Sequence, residues 1–384
     1  MVNKKTFCVA PWLSIHVDQH KKVSPCCLSK KFDFEFENTK KYWQSEELKD
    51  LRKDLSTGVK NSRCERCWIV EDGGGQSLRQ IYNQSITPMA TVPLKQQIQN
   101  PKLENVQSFD LVLGNLCNLK CMMCTPELSS QLYAEMDLNQ SLAPYHETEN
   151  LRSQKFYNWP KERNFVEWCE QNLENSVHLK LTGGEPFIVP WVPDVLEGIP
   201  DKQKKRCALN ITTNLTIMNK NLLDLFTKFK EVWLSVSCEG IEETFEYIRY
   251  GHRWNTFDSN LKQILEYNTK VSINYVIQAP SFLSIPKMVK YFDDLKLGIH
   301  GIPLSWPPHF HISVLSEKTK QNLIDHFKGY DGFNKKFVDF LVNYVGTSIP
   351  HDKPLAKKCI SHLSAFDKVR KTNFQNIISV EHLQ

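Results

Sequence analysis

Phe109-Asp-Leu-Val-Leu113 runs straight into Gly114-Asn-Leu-Cys117-Asn-Leu-Lys-Cys121-Met-Met-Cys124. The first five residues are short and mostly apolar, as a buried parallel strand is. The loop that follows places three cysteines at C-x3-C-x2-C spacing. Working outward, similar runs recur at Val177–Leu181, Ala208–Thr212, Val232–Val236, Val271–Ile277 and Ile302–Trp306. Helical stretches lie between them. Asn221–Lys230 carries Leu222, Leu223, Leu225 and Phe226 on one side, and Ile241–Arg249, Ser259–Tyr267 and Ser284–Leu295 follow later strands. Strand-then-helix repetition implies a parallel sheet with right-handed crossovers. Six such units predict an α/β fold, an open, partial (β/α)6 barrel.

The rest of the chain sets bounds. It has 384 residues, 41% hydrophobic and 24% charged, enough for a packed core with smaller modules beside it. No apolar run reaches the ~18 residues of a membrane span. Met1–Trp12 lacks the apolar stretch of a secretory leader; the expectation is a cytoplasmic protein. Its charge of +5 is modest and its lysines are spread, which argues against a nucleic-acid footprint. Twelve cysteines in a reducing compartment point to metal or redox chemistry over disulfides. Cys169, Cys207, Cys238 and Cys359 are scattered and read as small buried apolar residues.

Three thiolates in one loop can fill three of the four terminal positions of a [4Fe–4S] cubane and leave one iron open for a chelating ligand. Structural zinc prefers four protein ligands and fits a lone trio poorly. Downstream, Thr182-Gly183-Gly184-Glu185-Pro186 ends the second run, Thr212-Thr213-Asn214 the third, and Ser235-Val-Ser237-Cys-Glu239-Gly240 the fourth. Tyr247-Ile-Arg249-Tyr-Gly251 follows. These motifs lie at strand ends, where barrel enzymes build active sites. Together they resemble the radical S-adenosylmethionine (SAM) superfamily. The resemblance implies a SAM-binding cluster on Cys117, Cys121 and Cys124. It assigns Gly183, Gly184 and Glu185 to the SAM amino group, Thr213, Asn214 and Ser237 to polar contacts around the ribose, Arg249 to the SAM carboxylate and Met123 to packing near adenine. Relatives commonly carry Asp where this chain has Glu239.

Earlier cysteines form a second constellation: Cys8-Val-Ala-Pro-Trp12, Ser24-Pro-Cys26-Cys27 and Cys64-Glu-Arg-Cys67. With Tyr42–Ser45, Leu51-Arg52 and Glu71–Arg79, they resemble the auxiliary-cluster modules called SPASM and twitch, in this chain N-terminal to the core. That implies a second [4Fe–4S] cluster on Cys8, Cys26, Cys64 and Cys67, with Cys27 as the alternative to Cys26. Structural zinc on the same four is the competing reading. Trp12–Val17 and Val23–Pro25 read as a hairpin whose Asp18–Lys22 turn lacks glycine, and Trp43–Leu55 as a helix. The Gly73–Gly75 run reads as a tight turn.

The expected organisation is an auxiliary module over 1–85, a linker over 86–107, a radical SAM core over 108–310 and a helical C-terminal extension over 311–384. The resemblance implies reductive cleavage of SAM and hydrogen abstraction from a substrate, by analogy a peptide or protein side chain. It also implies an electron donor such as flavodoxin or ferredoxin. A sugar or nucleotide metabolite is the alternative substrate, and a non-catalytic iron–sulfur or zinc scaffold the alternative class. No catalytic acid or base is legible. Tyr157, Trp159, His252 and Arg253 are polar or aromatic candidates, each more readily explained by packing or surface.

Overall fold

The computed structural model describes residues 3–72, 75–145, 163–190, 192–304, 306–347 and 349–384. Tyr157, Trp159 and most of the Gly73–Gly75 run lie outside them. Two compact units emerge: residues 1–115, 156–212 and 219–233 form the first, and residues 116–155, 213–218 and 234–384 the second.

Eight strands are described: β1 Ser14–Val17, β2 Val23–Ser24, β3 Ser108–Val112, β4 His178–Thr182, β5 Ala208–Thr213, β6 Glu231–Ser237, β7 Lys270–Ile277 and β8 Gly298–Pro303. In the first unit β1 pairs antiparallel with β2, and β1–β3, β3–β4 and β4–β5 are parallel. In the second unit β7 and β8 are parallel. Helices alternate with the strands from β4 onward, so the α/β, mostly parallel reading holds. Helices Glu317–His326, Lys335–Gly346 and Lys353–Arg370 make the C-terminal part helical, as expected.

Three local readings differ. The last strand is Gly298–Pro303, not Ile302–Trp306, with Ser272 opposite Gly298 and Ile277 opposite Pro303. Two glycines and a histidine break its apolar pattern, and its partner strand sets its place. Trp43–Leu55 is two helices, Thr39–Gln44 and Glu46–Thr57, split at Ser45, whose hydroxyl caps the second by accepting from Leu48 N. Within 86–107, residues Leu94–Gln99 are helical, and buried Gln97 donates to the carbonyls of Trp12 and Lys102.

The N-terminal hairpin does not stand apart. β1 lies in parallel register with β3, Ile15 opposite Phe109, and both residues are buried. Its glycine-free turn is made by Lys21 at φ +66°, while Asp18 Oδ1 accepts from His20 N and Lys22 N at 2.8 and 2.9 Å. Those bonds offset the cost of the left-handed residue. No helix described is long and apolar enough to cross a membrane.

Candidate active site

The three-cysteine loop belongs to the second unit. Leu119 is fully buried between Cys117 and Cys121, with Met123 and Cys124 packed against them. Helix Ser130–Leu138 holds the loop from one side. Ser129 caps this helix through Leu132 N at 3.1 Å and donates to Leu119 O. Ser130 Oγ accepts from Cys117 N at 3.3 Å and donates to Cys117 O at 3.1 Å. From another side, Lys120 N and Met122 N donate to the carbonyls of Tyr250 and Ile248, both at 2.9 Å. Arg370, at the end of helix Lys353–Arg370, donates to Lys120 O at 2.8 Å, lies 2.8 Å from Met122 Sδ and pairs with Glu135 at 2.6 Å. The loop is therefore held in one shape by local bonds and by partners distant in sequence.

Two donors point at the sulfurs. Asn214 Nδ2 is 3.9 Å from Cys117 Sγ, and Arg249 Nη1 is 3.7 Å from Cys121 Sγ. Burial pushes the Cys121 thiol up, and the Arg249 charge opposes it. Burial and the neighbouring Cys121 and Cys117 raise Cys124. Thiols that resist ionisation by themselves, facing N–H donors and a guanidinium, fit an anionic iron–sulfur cluster, whose irons would hold the sulfurs as thiolates. Among the described residues, no three His, Cys, Asp or Glu side chains group around one metal ion. A cubane carries each terminal ligand on a separate iron and does not need such a group.

Arg249 has a partner within the chain. Its Nε and Nη2 donate to Glu239 at 2.6 and 2.9 Å in a buried bidentate pair, and Glu239 Oε1 also accepts from Val276 N at 3.4 Å. Burial works against the Arg249 charge, but Glu239 and Cys121 outweigh it and raise its pKa. The expected SAM-carboxylate contact therefore meets an arginine whose fork already holds a carboxylate. Thr213 Oγ1 accepts from Leu215 N at 2.9 Å, Asn214 Oδ1 from Thr216 N at 3.0 Å, and Ser237 ends β6 half-buried. His252 packs its ring against Phe245 and Phe257, and burial lowers its pKa to about 4. Arg253 is exposed and pairs with Glu246.

The glycine turn after β4 belongs to the first unit. Gly183 has φ +121°, and a Cβ there would lie 2.7 Å from Leu113 N and 2.8 Å from Gly114 O. Gly184 N donates to Gly114 O at 2.9 Å. The turn after β4 thus presses on the turn after β3, which only glycine permits. Gly183→Ala should lower stability by about 1–3 kcal/mol through backbone strain alone and lower SAM affinity with it; a melting curve and a SAM titration matching wild type would refute this. Glu185 is 1% exposed, and its Oε1 accepts from Phe187 N at 3.0 Å.

The early cysteines also converge in the first unit. Cys8, Cys26, Cys64 and Cys67 line one cavity with Arg79 and Tyr82. Asn83 fixes the backbone around Cys8, accepting from Val9 N and donating to Phe7 O, both at 2.8 Å. Lys30 N donates to Arg63 O at 3.0 Å and Arg63 to Lys31 O at 2.9 Å, tying the Cys26 loop to Cys64. Arg79 donates to Phe7 O at 2.6 Å and forms a bidentate pair with Glu71 at 2.9 and 2.6 Å. Burial pushes the Cys64 thiol up to about 12 and raises Cys8 and Cys26, each further raised by nearby cysteines. Cys27 is exposed as a residue, and its thiol meets the Asp110 carboxylate instead of the cavity.

Residues 111–279 match the family described as the radical SAM superfamily. A probable GTP 3',8-cyclase of Methanococcus maripaludis strain C7 is 22% identical over 222 residues, 55% of this chain and 64% of that protein. Its counterpart in strain C6 is 23% identical over 265 residues, 65% of this chain and 77% of that protein. The chain thus spans 64% of the length of the first of these relatives. Among solved structures, native anSMEcpe with bound AdoMet is 17% identical over 60% of each chain, with a TM-score of 0.39. Streptococcus suis SuiB bound to S-adenosylmethionine is 13% identical over 86% of this chain and 71% of that one, with a TM-score of 0.38. The stretch that matches the radical SAM superfamily, residues 111–279, is thus the one that contains the three cysteines and the glycine turn.

Proposed function

We propose that this protein is a maturase-like radical SAM oxidoreductase that takes a hydrogen atom from a peptide or protein side chain. The observation that carries the reading is the buried three-thiol loop with Asn214 and Arg249 aimed at its sulfurs. A [4Fe–4S] cluster on Cys117, Cys121 and Cys124, with SAM bound, supplies the radical chemistry. The chain's part is to hold and shield. Ser129, Ser130 and Arg370 fix the ligand loop. Arg249, braced by Glu239, sets an N–H donor beside Cys121, and hydrogen bonds to the sulfurs favour electron uptake there. Met123, Gly183, Gly184, Glu185, Thr213, Asn214 and Ser237 are the residues assigned to SAM, with Arg249 serving the cluster loop as well. Residues 1–85 serve as an auxiliary module with a second [4Fe–4S] cluster on Cys8, Cys26, Cys64 and Cys67, supported by their shared cavity. Residues 86–107 link it to the core at 108–310, and 311–384 extend the core. Flavodoxin or ferredoxin would supply the electron.

Glu185→Gln tests one SAM contact. The amide keeps an acceptor for Phe187 N but loses the charge. A charge-assisted hydrogen bond contributes about 1.5–3 kcal/mol, so SAM affinity should fall ~10-fold or more with iron content unchanged. Unchanged affinity with lost iron would show the residue serves the cluster instead.

A nucleotide substrate is the second reading, favoured by the probable GTP 3',8-cyclases among the relatives. The test is anaerobic turnover with peptides or with GTP. Peptide-dependent formation of 5'-deoxyadenosine and a mass change in the peptide support the first reading. A mass change in GTP alone overturns it.

A further inference from the structure

Helix Leu78–Met89 lends Leu78, Arg79 and Tyr82 to the wall of the four-cysteine cavity. A capping box at Ser77 and Gln80 fixes its first turn. Arg79, Tyr82 and Ile86, at helical spacing, are buried on one face, and Asn83 beside them holds the backbone on both sides of Cys8. The thiols in the cavity already meet donors. Burial raises Cys8, Cys26 and Cys67, and backbone N–H groups oppose it: Ala10 at Cys8, Leu28 at Cys26 and Arg79 at Cys67. Sulfurs met by N–H groups suit the anionic cluster proposed for this site. Besides the thiols, the polar side chains lining the cavity are those of Ser29, Arg79 and Tyr82. Ser29 Oγ donates to Lys30 O at 3.1 Å. Arg79 commits Nε and Nη2 to Glu71 and Nη1 to Phe7 O, and its charge is balanced by that carboxylate. Tyr82 differs. Its hydroxyl is buried and has no hydrogen-bond partner among the described residues. Asp110 is not its acceptor, because Asp110 Oδ1 is likewise buried without a hydrogen bond and Oδ2 is met by His16 and Lys180. Leaving a buried hydroxyl unpaired is costly, and native proteins keep few such groups without a use.

We propose that the Tyr82 hydroxyl donates a hydrogen bond to a sulfur of the auxiliary cluster and so sets how readily that cluster takes up an electron. The proposal deepens the auxiliary-cluster reading above and rests on it. The cavity that Tyr82 lines is the one the cluster would fill, and the acceptors a cluster brings there are thiolate and sulfide sulfurs. Burial, then Asp110, Cys27, Cys26 and Cys8, push the phenol's pKa well above its ordinary range. The hydroxyl therefore stays protonated and keeps a proton to donate. Reduction adds negative charge to the sulfurs and strengthens a hydrogen bond to them, so this donor favours the reduced form. The backbone N–H groups at Cys8, Cys26 and Cys67 are present whatever the side chains. Tyr82 is the donor that a substitution can remove without breaking the backbone that carries the ligands.

The test uses the anaerobically reconstituted full chain with SAM, whose binding at the open iron sets the core cluster's electron paramagnetic resonance signal apart. A potentiometric titration follows both signals, with iron content and melting temperature measured alongside. Tyr82→Phe keeps the ring and removes the donor. Its auxiliary cluster should be about tenfold harder to reduce, a fall of ~59 mV for one electron, with iron content and the core signal's potential as in wild type. Placing 3-fluorotyrosine at position 82 keeps the shape and supplies a more acidic, stronger donor, so there the auxiliary potential should rise. A Tyr82 that only packs would move the melting temperature and leave the potential alone. An unchanged auxiliary potential in iron-replete Tyr82→Phe overturns the proposal. If that variant loses iron or fails to fold, an unchanged potential with 3-fluorotyrosine overturns it. A wild type holding about four irons, or one zinc, instead fails at the metal count before any titration, and sinks the auxiliary-cluster reading together with this one.

Discussion

Replacing Cys117, Cys121 and Cys124 together with Ala should remove one cubane, about four irons, and all SAM cleavage. No other cysteine lies in that loop, and the sulfurs are set by backbone bonds that a distant thiol cannot reproduce. The fold should survive, because Leu119 stays buried and the Ser129, Ser130 and Arg370 contacts to the loop go to backbone and to Met122. Iron analysis, far-ultraviolet circular dichroism and chromatography for 5'-deoxyadenosine read the three parts. Deoxyadenosine production by the folded triple variant would end the assignment of these cysteines.

Cys64→Ala/Cys67→Ala should separate the two sites. Both residues line the four-cysteine cavity and neither belongs to the Cys117–Cys124 loop. A cluster with four cysteine ligands leaves no iron open, so it would not bind SAM; its role would be electron transfer or substrate positioning. The double variant should therefore keep substrate-free SAM cleavage and lose product formation. It should also melt lower, since a metal staple orders a region built from short elements. Wild type holding about four irons instead of about eight, or one zinc, would refute the second cluster.

The sequence discloses what is contiguous. The strand-loop-cysteine segment and the glycine turn each sit within a few residues, so their spacing carries their geometry. The strands β3 to β7 are legible because apolar, β-branched runs mark buried parallel strands. What stays hidden depends on register and distance. Arg249 meets Cys121 from 128 residues away, and Arg370 meets Met122 from 248. Nothing local in either arginine marks that contact. Glu239 is marked in the sequence only as a carboxylate at a strand end, and the structure shows it paired with Arg249. β1 reads in sequence as half of an isolated hairpin, because four residues give no sign of the strand they will join. Asp110 and Lys180 are charged residues inside strands β3 and β4, a legible oddity, but only the pairing reveals that they share a row with His16 and Asn210. Cys26 and Cys27 are indistinguishable as adjacent residues; the cavity on one side and Asp110 on the other tell them apart.

The measurement closest to the central claim is anaerobic incubation of the reconstituted wild type with SAM and dithionite, followed by quantification of 5'-deoxyadenosine and methionine. The account predicts both products in equal amounts, and none from the Cys117/Cys121/Cys124 triple variant. A fully iron-loaded wild type that leaves SAM intact would contradict it.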